Sequence, residues 1–253
     1  MTLEEMKARK RELGYSNTEL ASLAGIPLGT VQKIFSGATS SPRHTTLTAL
    51  EQVLRREEMS RRPQVPGEYT LEDYDALPEE QRVELIDGVF YDMAAPSSLH
   101  QAISSHVFAA LFQHVQSHQG PCMVYAAPFD VQLDQDNRTM VQPDIAVICR
   151  RDLLRKFGCF GAPDLVMEIL SPATCEKDLT LKLRKYMQAG VREYWVIAPE
   201  NRQIIVYQNK NESLSFRYYT FQDSIPVGIW DGECVVDFAA ILEQIGFLYD
   251  LEE

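Results

Sequence analysis

No run in the 253-residue chain is apolar and long enough to cross a bilayer, and the opening Met-Thr-Leu-Glu-Glu-Met-Lys-Ala-Arg-Lys lacks the apolar centre of a secretory signal. A cytoplasmic protein without a membrane partner is expected. Cysteine is sparse: five residues, at 122, 149, 159, 175 and 234, with no Cys-x-x-Cys pair. That pattern argues against a zinc ribbon or a disulfide frame and predicts reduced structural thiols. Internal repeats and low-complexity tracts are missing, and nothing calls for an organic cofactor. Positive charge is in the minority, with 24 Lys+Arg against 36 Asp+Glu and a net of −12. What is present, 45% hydrophobic and 24% charged residues, is ordinary globular material able to bury a core.

The charge is unevenly divided. Residues 1–62 carry 10 Lys+Arg against 7 Asp+Glu, whereas the remainder carries 14 against 29, so two units with different electrostatic roles are expected. Arg61-Arg62-Pro63-Gln64-Val65-Pro66-Gly67 has two prolines and a glycine and no apolar periodicity. These features predict a domain over residues 1–60, a linker over 61–68 and a second domain over 69–253.

In the basic unit, Ser16 and Glu19 form a capping-box pattern ahead of one short helix, and Gly25 supplies its exit. A second helix follows Ile26-Pro27, with Val31 and Ile34 facing inward and Gln32 and Lys33 outward; Leu47, Leu50, Val53 and Leu54 mark a later helix closing the core. Through Thr18-Glu19-Leu20-Ala21, Ala24-Gly25-Ile26, Thr30-Val31-Gln32-Lys33-Ile34 and Gly37, the first 55 or so residues resemble the helix-turn-helix domains of the Cro and phage-repressor type. The resemblance implies a DNA partner met by Leu28, Gly29, Thr30, Gln32 and Lys33 on the second helix. A helical module that docks on protein instead is the alternative.

In the acidic unit, Thr70 with Asp73 opens a short helix, and Arg82 to Met93 reads as two strands around the Asp87-Gly88 turn. Ile103, Val107, Ala110, Leu111 and Val115 give an amphipathic helix over about 100–118. Strands are expected over 124–133, 141–149 and 165–170, then a helix over 179–189 stopped by Gly190, then strands over 193–197 and 203–207. This order predicts an α/β class, a mixed sheet between helices.

Two of those apolar runs each carry one acid, Asp144 in Val-Gln-Pro-Asp-Ile-Ala-Val-Ile and Glu168 in Pro-Asp-Leu-Val-Met-Glu-Ile-Leu, and a helix bearing Lys182 follows. A carboxylate on a covered strand costs several kcal/mol unless a cation compensates it. The pattern therefore points to a metal-dependent phosphodiesterase. Asp164 lies four residues before Glu168, about 13 Å away at ~3.3 Å per residue, too far to share an ion whose oxygen ligands sit at ~2.1 Å. Asp144, on a neighbouring strand ~4.8 Å away, is within reach. Asp178 and Tyr186 flank Lys182 at four-residue spacings on one helix face and are expected to hold it. His114 and His118 share that spacing, but no Cys or acidic ligand motif accompanies them in sequence, so a solvated helix face is expected. Cys175 has no local His and reads as a structural thiol.

Glu-Leu-Ile-Asp-Gly at 84–88, Ala-Pro-Phe-Asp-Val at 127–131, Gln-Pro-Asp at 142–144, Gly-Ala-Pro-Asp-Leu-Val at 161–166, Glu168-x-Leu-Ser-Pro-x-Thr174, Asp178-x-x-x-Lys182-x-x-x-Tyr186 and Ala-Gly-Val-x-Glu-Tyr-Trp at 189–195 together resemble the Uma-type restriction endonuclease family. That family belongs to the PD-(D/E)XK nuclease superfamily, and the resemblance spans about residues 70–210. It implies a restriction-endonuclease-like sheet flanked by helices, preceded here by the small all-α helix-turn-helix domain, and divalent-metal-dependent hydrolysis of nucleic-acid phosphodiesters. Asp144 and Glu168 match the two acids. Leu170 stands where the superfamily places Lys, and Lys182 matches the lysine that the Uma-type family carries on the next helix. In the site this implies, Asp144 and Glu168 hold Mg²⁺ or Mn²⁺ with the Ile169 carbonyl as a further oxygen, Lys182 orients the attacking water or stabilises the phosphate oxygens, Glu84 is a third acid, Gln142 contacts the scissile phosphate as an accessory residue, and His100 is accessory. A homodimer is a further expected partner. The competing readings are a DNA-binding regulator that keeps the fold without turnover, a protein-interaction module, and a purely structural Glu168–Lys182 ion pair.

Overall fold

The computed structural model describes residues 3–13, 16–39, 42–43, 46–50, 53–54, 67–78, 81–171, 177–210 and 213–251. The chain divides into two compact units, residues 1–64 and 65–253. Most of the expected linker, together with Thr174 and Cys175, falls outside the described residues.

The first unit is all helical: α1 (Leu3–Leu13), α2 (Asn17–Leu23), α3 (Leu28–Phe35) and further helical residues at 46–50 and 53–54. Gly25 takes φ +62°, the left-handed turn that ends the α2 segment without a Cβ penalty. Met6, Leu20, Val31, Ile34, Leu50 and Leu54 are almost fully buried and form the core. Gln32 and Lys33 are exposed, as the periodicity predicts, whereas Pro27 leaves the start of α3 without a side-chain cap. The Glu19 side chain lies outside the described set.

The second unit opens with α4 (Leu71–Asp75), where the Asp73 carboxylate accepts hydrogen bonds from Thr70 N at 2.8 Å and Thr70 Oγ1 at 3.0 Å. The hairpin β1 (Val83–Ile86) and β2 (Val89–Asp92) turns on Asp87 and Gly88, both at positive φ. Gly88 also lies where a Cβ would come within 2.6 Å of the Gly67 backbone, so only glycine fits.

A six-stranded mixed sheet follows in the order β11-β10-β9-β8-β5-β3, made of β3 (Met123–Ala126), β5 (Ile145–Ile148), β8 (Leu165–Ile169), β9 (Glu193–Ala198), β10 (Gln203–Lys210) and β11 (Ser213–Thr220). Within this sheet, among the described residues, only β8 and β9 pair in parallel, which requires a crossover between them. That crossover begins as a π-type turn at Asp178–Lys182 and continues as α6 (Leu183–Ala189), ended by Gly190 at φ +94°. The Asp178 carbonyl accepts the Tyr194 hydroxyl at 3.0 Å. One sheet face packs Ile145, Val147, Leu165, Met167, Trp195 and Ile197 against the long helix α5 (Ser98–His118) and α7 (Phe238–Ile245). The other face packs Val166, Tyr194 and Val196 against Tyr186 of α6. Helices thus cover both faces of the mixed sheet, the architecture expected from the element order.

Three expectations are corrected. The run at 124–133 is not one strand: β3 stops at Ala126, Ala127-Pro128 intervenes, and β4 (Val131–Gln132) joins a separate sheet with β6 (Leu154–Arg155) and β7 (Gly158–Phe160). Proline lacks the N–H that a continuing ladder needs, which turns the chain out of the main sheet. The run at 141–149 contributes only Ile145–Ile148, with Val141 held by an isolated bridge to Val131. Cys122 and Cys149 are joined by a disulfide, where reduced thiols were expected. Antiparallel pairing of Met123 with Ile148 sets these two cysteines opposite one another at the next position, a proximity that spacing in sequence does not reveal. Cys159 and Cys234 are free and buried.

Candidate active site

Antiparallel pairing of Ile145 with Met167 places Asp144 opposite Glu168, one step further along the ladder. By alternation both side chains emerge on the face covered by α6. Asp144 Oδ2 accepts the Ile169 backbone N–H at 2.7 Å and lies 3.2 Å from His100 Nε2. His100 sits in the first turn of α5, where its own N–H donates to the Ser97 cap at 3.1 Å. About a sixth of the Asp144 side chain, 17%, is exposed against 5% of Glu168, so Asp144 is the more open acid of the pair.

Glu168 is buried and its Oε1 accepts two hydrogen bonds, from Lys182 Nζ at 2.8 Å and Tyr186 Oη at 2.7 Å. The same ammonium lies 2.7 Å from Glu84 Oε1 and 3.6 Å from Asp178 Oδ1. Glu84, on the fully buried strand β1, also accepts Lys177 Nζ at 2.7 Å and the Gln142 backbone N–H at 3.0 Å. Asp144, Glu168, Lys182, Glu84, Gln142, Asp178, Tyr186 and His100 are therefore brought into one neighbourhood. Two details differ from the expected pattern. Tyr186 holds Glu168 where a contact to Lys182 was expected, because its hydroxyl reaches beyond the ammonium to the strand. The Gln142 amide donates to Asp130 Oδ1 at 2.8 Å and Tyr74 Oη at 3.0 Å, so its N–H groups are engaged within the protein, while its buried Oε1 has no hydrogen-bond partner among the described residues.

Four carboxylates (Glu84, Asp144, Glu168, Asp178) face two ammonium groups (Lys177, Lys182), leaving an excess of negative charge in a low-dielectric setting. Burial pushes the Glu168 carboxyl up to about 8; Lys182 pulls it down, but Asp178, Asp144 and Glu84 add to the rise. Burial acts the same way on Glu84, yet Lys182 and Lys177 outweigh it and hold that carboxyl below its ordinary value. Burial disfavours the charged Lys182, but Glu168, Glu84 and Asp178 keep its ammonium well above the usual range. Burial and the nearby Glu168 and Glu84 raise the Tyr186 hydroxyl far above 10, so it donates as a neutral phenol.

The donor set fits a hard dication. Both hydrogen bonds described for Glu168 fall on Oε1 and both for Asp144 on Oδ2, which leaves one oxygen of each acid outside these contacts. Among the described residues no third acid or imidazole clusters tightly with this pair. A cation here would complete its shell from main chain and water, as Mg²⁺ does when held by one or two carboxylates.

Sequence reading missed Lys177, Asp130 and Tyr74. The signal for Lys177 was Glu84 itself, an acid in the buried run Val-Glu-Leu-Ile that a single lysine does not neutralise. Asp164, set aside as a ligand, is structural: its Oδ2 accepts Cys149 N at 2.7 Å and its Oδ1 lies 3.1 Å from Arg192 Nη1.

Residues 6–58 match the helix-turn-helix family model. An uncharacterized protein from Synechocystis sp. is 26% identical over 156 residues, covering 60% of this chain and 80% of that protein. A crystal structure described as a "putative nuclease belonging to DUF820", from Anabaena variabilis, superposes with a TM-score of 0.57 at 22% identity, over 69% of this chain and 97% of that one, and so shares the fold. Among the described residues no helix is long and apolar enough to cross a membrane. Residues 71–228 match the Uma2 model, "Putative restriction endonuclease", and with well over half of its length inside that match the chain belongs to the Uma2 family.

Proposed function

We propose that the protein is a divalent-metal-dependent endonuclease that hydrolyses DNA phosphodiesters and is brought to DNA by its helix-turn-helix unit. The observation that carries this reading is the pairing of Asp144 with Glu168 across adjacent strands, beside the buried ammonium of Lys182. Mg²⁺ or Mn²⁺ in this site would lower the pKa of a bound water and offset charge on the phosphate. Asp144, Glu168 and the Ile169 carbonyl are the proposed ligands. Lys182 supplies a fixed positive charge toward the phosphate oxygens, a role whose loss typically costs about 3 kcal/mol of barrier. Glu84 and Asp178 hold that ammonium in place, and Tyr186 orients Glu168. His100 fixes the rotamer of Asp144 from the start of α5. A cavity of about 480 Å³ beside Gln142 and Asp130 is lined by Arg155, Lys156 and Phe157, which give the acidic unit a local cationic wall for a nucleic-acid backbone. Leu28, Gly29, Thr30, Gln32 and Lys33 are the proposed DNA contacts of the first unit. A cytoplasmic location is part of the same proposal.

Mg²⁺-dependent nicking of plasmid DNA that disappears in Asp144→Ala and Lys182→Ala supports this function; a DNA shift without cleavage by the wild-type protein selects the alternative, a regulator that keeps the nuclease fold. One observation favours that alternative: Lys182 is already engaged by three acids.

A further inference from the structure

The nuclease reading leaves one group of metal-binding side chains unused. His114 and His118 stand one turn apart at the end of α5, and the loop between β12 (Ser224–Pro226) and β13 (Val235–Asp237) brings Glu233 to them. One ligand atom from each residue lies within 4.8 Å of the other two. The acid missing from the local sequence thus arrives from the far end of the chain. This place is about 21 Å along α5 from His100, at ~1.5 Å per residue.

The surroundings prepare the two imidazoles for ligation. His118 Nδ1 lies 2.9 Å from the His114 carbonyl and 2.9 Å from Ser117 Oγ, which itself donates to that carbonyl at 2.9 Å; a proton on Nδ1 serves the carbonyl and leaves the Nε2 lone pair for a metal, the arrangement that ligating histidines ordinarily show. The two rings stack with centroids 4.0 Å apart, and Trp230 lies against His114 at 4.5 Å. Trp230 is itself anchored, its Nε1 donating to Cys122 Sγ at 3.5 Å, so the wall behind His114 is fixed to the main sheet. Backbone bonds Glu233 N to Trp230 O at 3.0 Å and Val227 N to Cys234 O at 2.9 Å hold the loop that presents Glu233.

We propose that His114, His118 and Glu233 bind one transition-metal ion of the Zn²⁺ class, with water in the fourth position. Two imidazole nitrogens and one carboxylate suit Zn²⁺ and its Co²⁺ surrogate, whereas the Asp144–Glu168 pair suits an oxygen-loving ion such as Mg²⁺. Ligands of a tetrahedral ion with bonds of ~2.1 Å lie about 3.4 Å apart, so the three side chains, now within 4.8 Å of one another, need close by at most about 1.4 Å. The ion would tie the end of α5 to the β12–β13 loop independently of the nuclease chemistry.

The test uses tag-free, full-length protein carrying Asp144→Asn, which removes one charged ligand from the other proposed metal site. Titration with Co²⁺ is expected to produce visible d–d absorption saturating at one equivalent and reversed by Zn²⁺, and to quench Trp230 fluorescence. Trp230→Phe should abolish the quenching and keep the absorption. His114→Ala should abolish both signals, and His118→Ala and Glu233→Gln should each weaken Co²⁺ affinity at least tenfold, with circular dichroism confirming the fold. Co²⁺ affinity unaltered by His114→Ala, or no visible band at millimolar Co²⁺, overturns the proposal whatever the outcome of the cleavage assay.

Discussion

Ile169 donates its backbone N–H to Asp144 Oδ2 at 2.7 Å, so the strand that carries Glu168 also fixes the carboxylate across from it. The separation of the two acids is therefore set by the β5–β8 ladder and not by flexible side chains. Asp144→Asn preserves the acceptor for Ile169 but removes the charge. Cleavage should fall by more than about 100-fold, beyond the range typical for loss of a supporting partner, while the melting temperature holds or rises. Plasmid nicking and thermal denaturation of the same preparation check this.

Removal of Lys182 should be felt in folding as well as in turnover. Lys182→Met leaves Glu84, Glu168 and Asp178 facing one another in a buried site, a loss of roughly 3–5 kcal/mol. The penalty should be larger at pH 8 than at pH 5.5, since Glu168 holds a proton at the lower value. Adding Glu168→Gln to Lys182→Met should recover part of the loss, which urea unfolding at the two pH values would show.

Glu168 also predicts how metal and protons compete. Its folded value of about 8 lies above the ordinary 4.5, so its contribution to stability is fully present below about pH 4.5 and is lost as pH rises toward and through 8. Glu84 runs the other way: its lowered carboxyl contributes above its ordinary value, and that contribution disappears in acid. Metal-free protein should accordingly weaken from pH 5 to pH 8, and Mg²⁺ should restore it. Mg²⁺ binding near pH 7 should release a proton, read by calorimetry in buffers of different ionisation enthalpy; a binding heat independent of buffer contradicts the assignment.

In the full-length protein, Lys33→Ala should weaken binding to DNA of any sequence and reduce the dependence of log K on log salt by about one unit. Gln32→Ala should leave that slope in place and flatten any preference among sequences. Fluorescence anisotropy over a salt series distinguishes the two, and salt-independent binding argues for a protein partner of the first unit.

Much of the fold was legible because its signals are local. Asp87-Gly88 announces a turn, the spacing of Ile103, Val107, Leu111 and Val115 announces a helix, and acids inside apolar runs flag Asp144 and Glu168. What stayed hidden depends on tertiary proximity. Lys177 reaches Glu84 across 93 residues, and the ladder between β3 and β5 brings Cys122 to Cys149. Glu233 meets the α5 histidines only because a late loop folds back. The break at Ala127-Pro128 was visible as a proline in an apolar run, and giving it more weight would have separated β3 from β4.

The wide turn at Asp178–Lys182 carries one residue more than an α-helical turn needs. Deleting Thr180 would let the segment rewind as a regular helix, leaving α6 in phase and cutting the spacing from Asp178 to Lys182 from four residues to three. Lys182 and Tyr186, both beyond the excision and four residues apart, would keep their shared approach to Glu168, while the contact of Asp178 with the ammonium would be disturbed. Chain length in this short stretch is thus a determinant in its own right, and a one-residue excision with composition otherwise intact should loosen the hold of Asp178 on the ammonium while the grip on Glu168 persists.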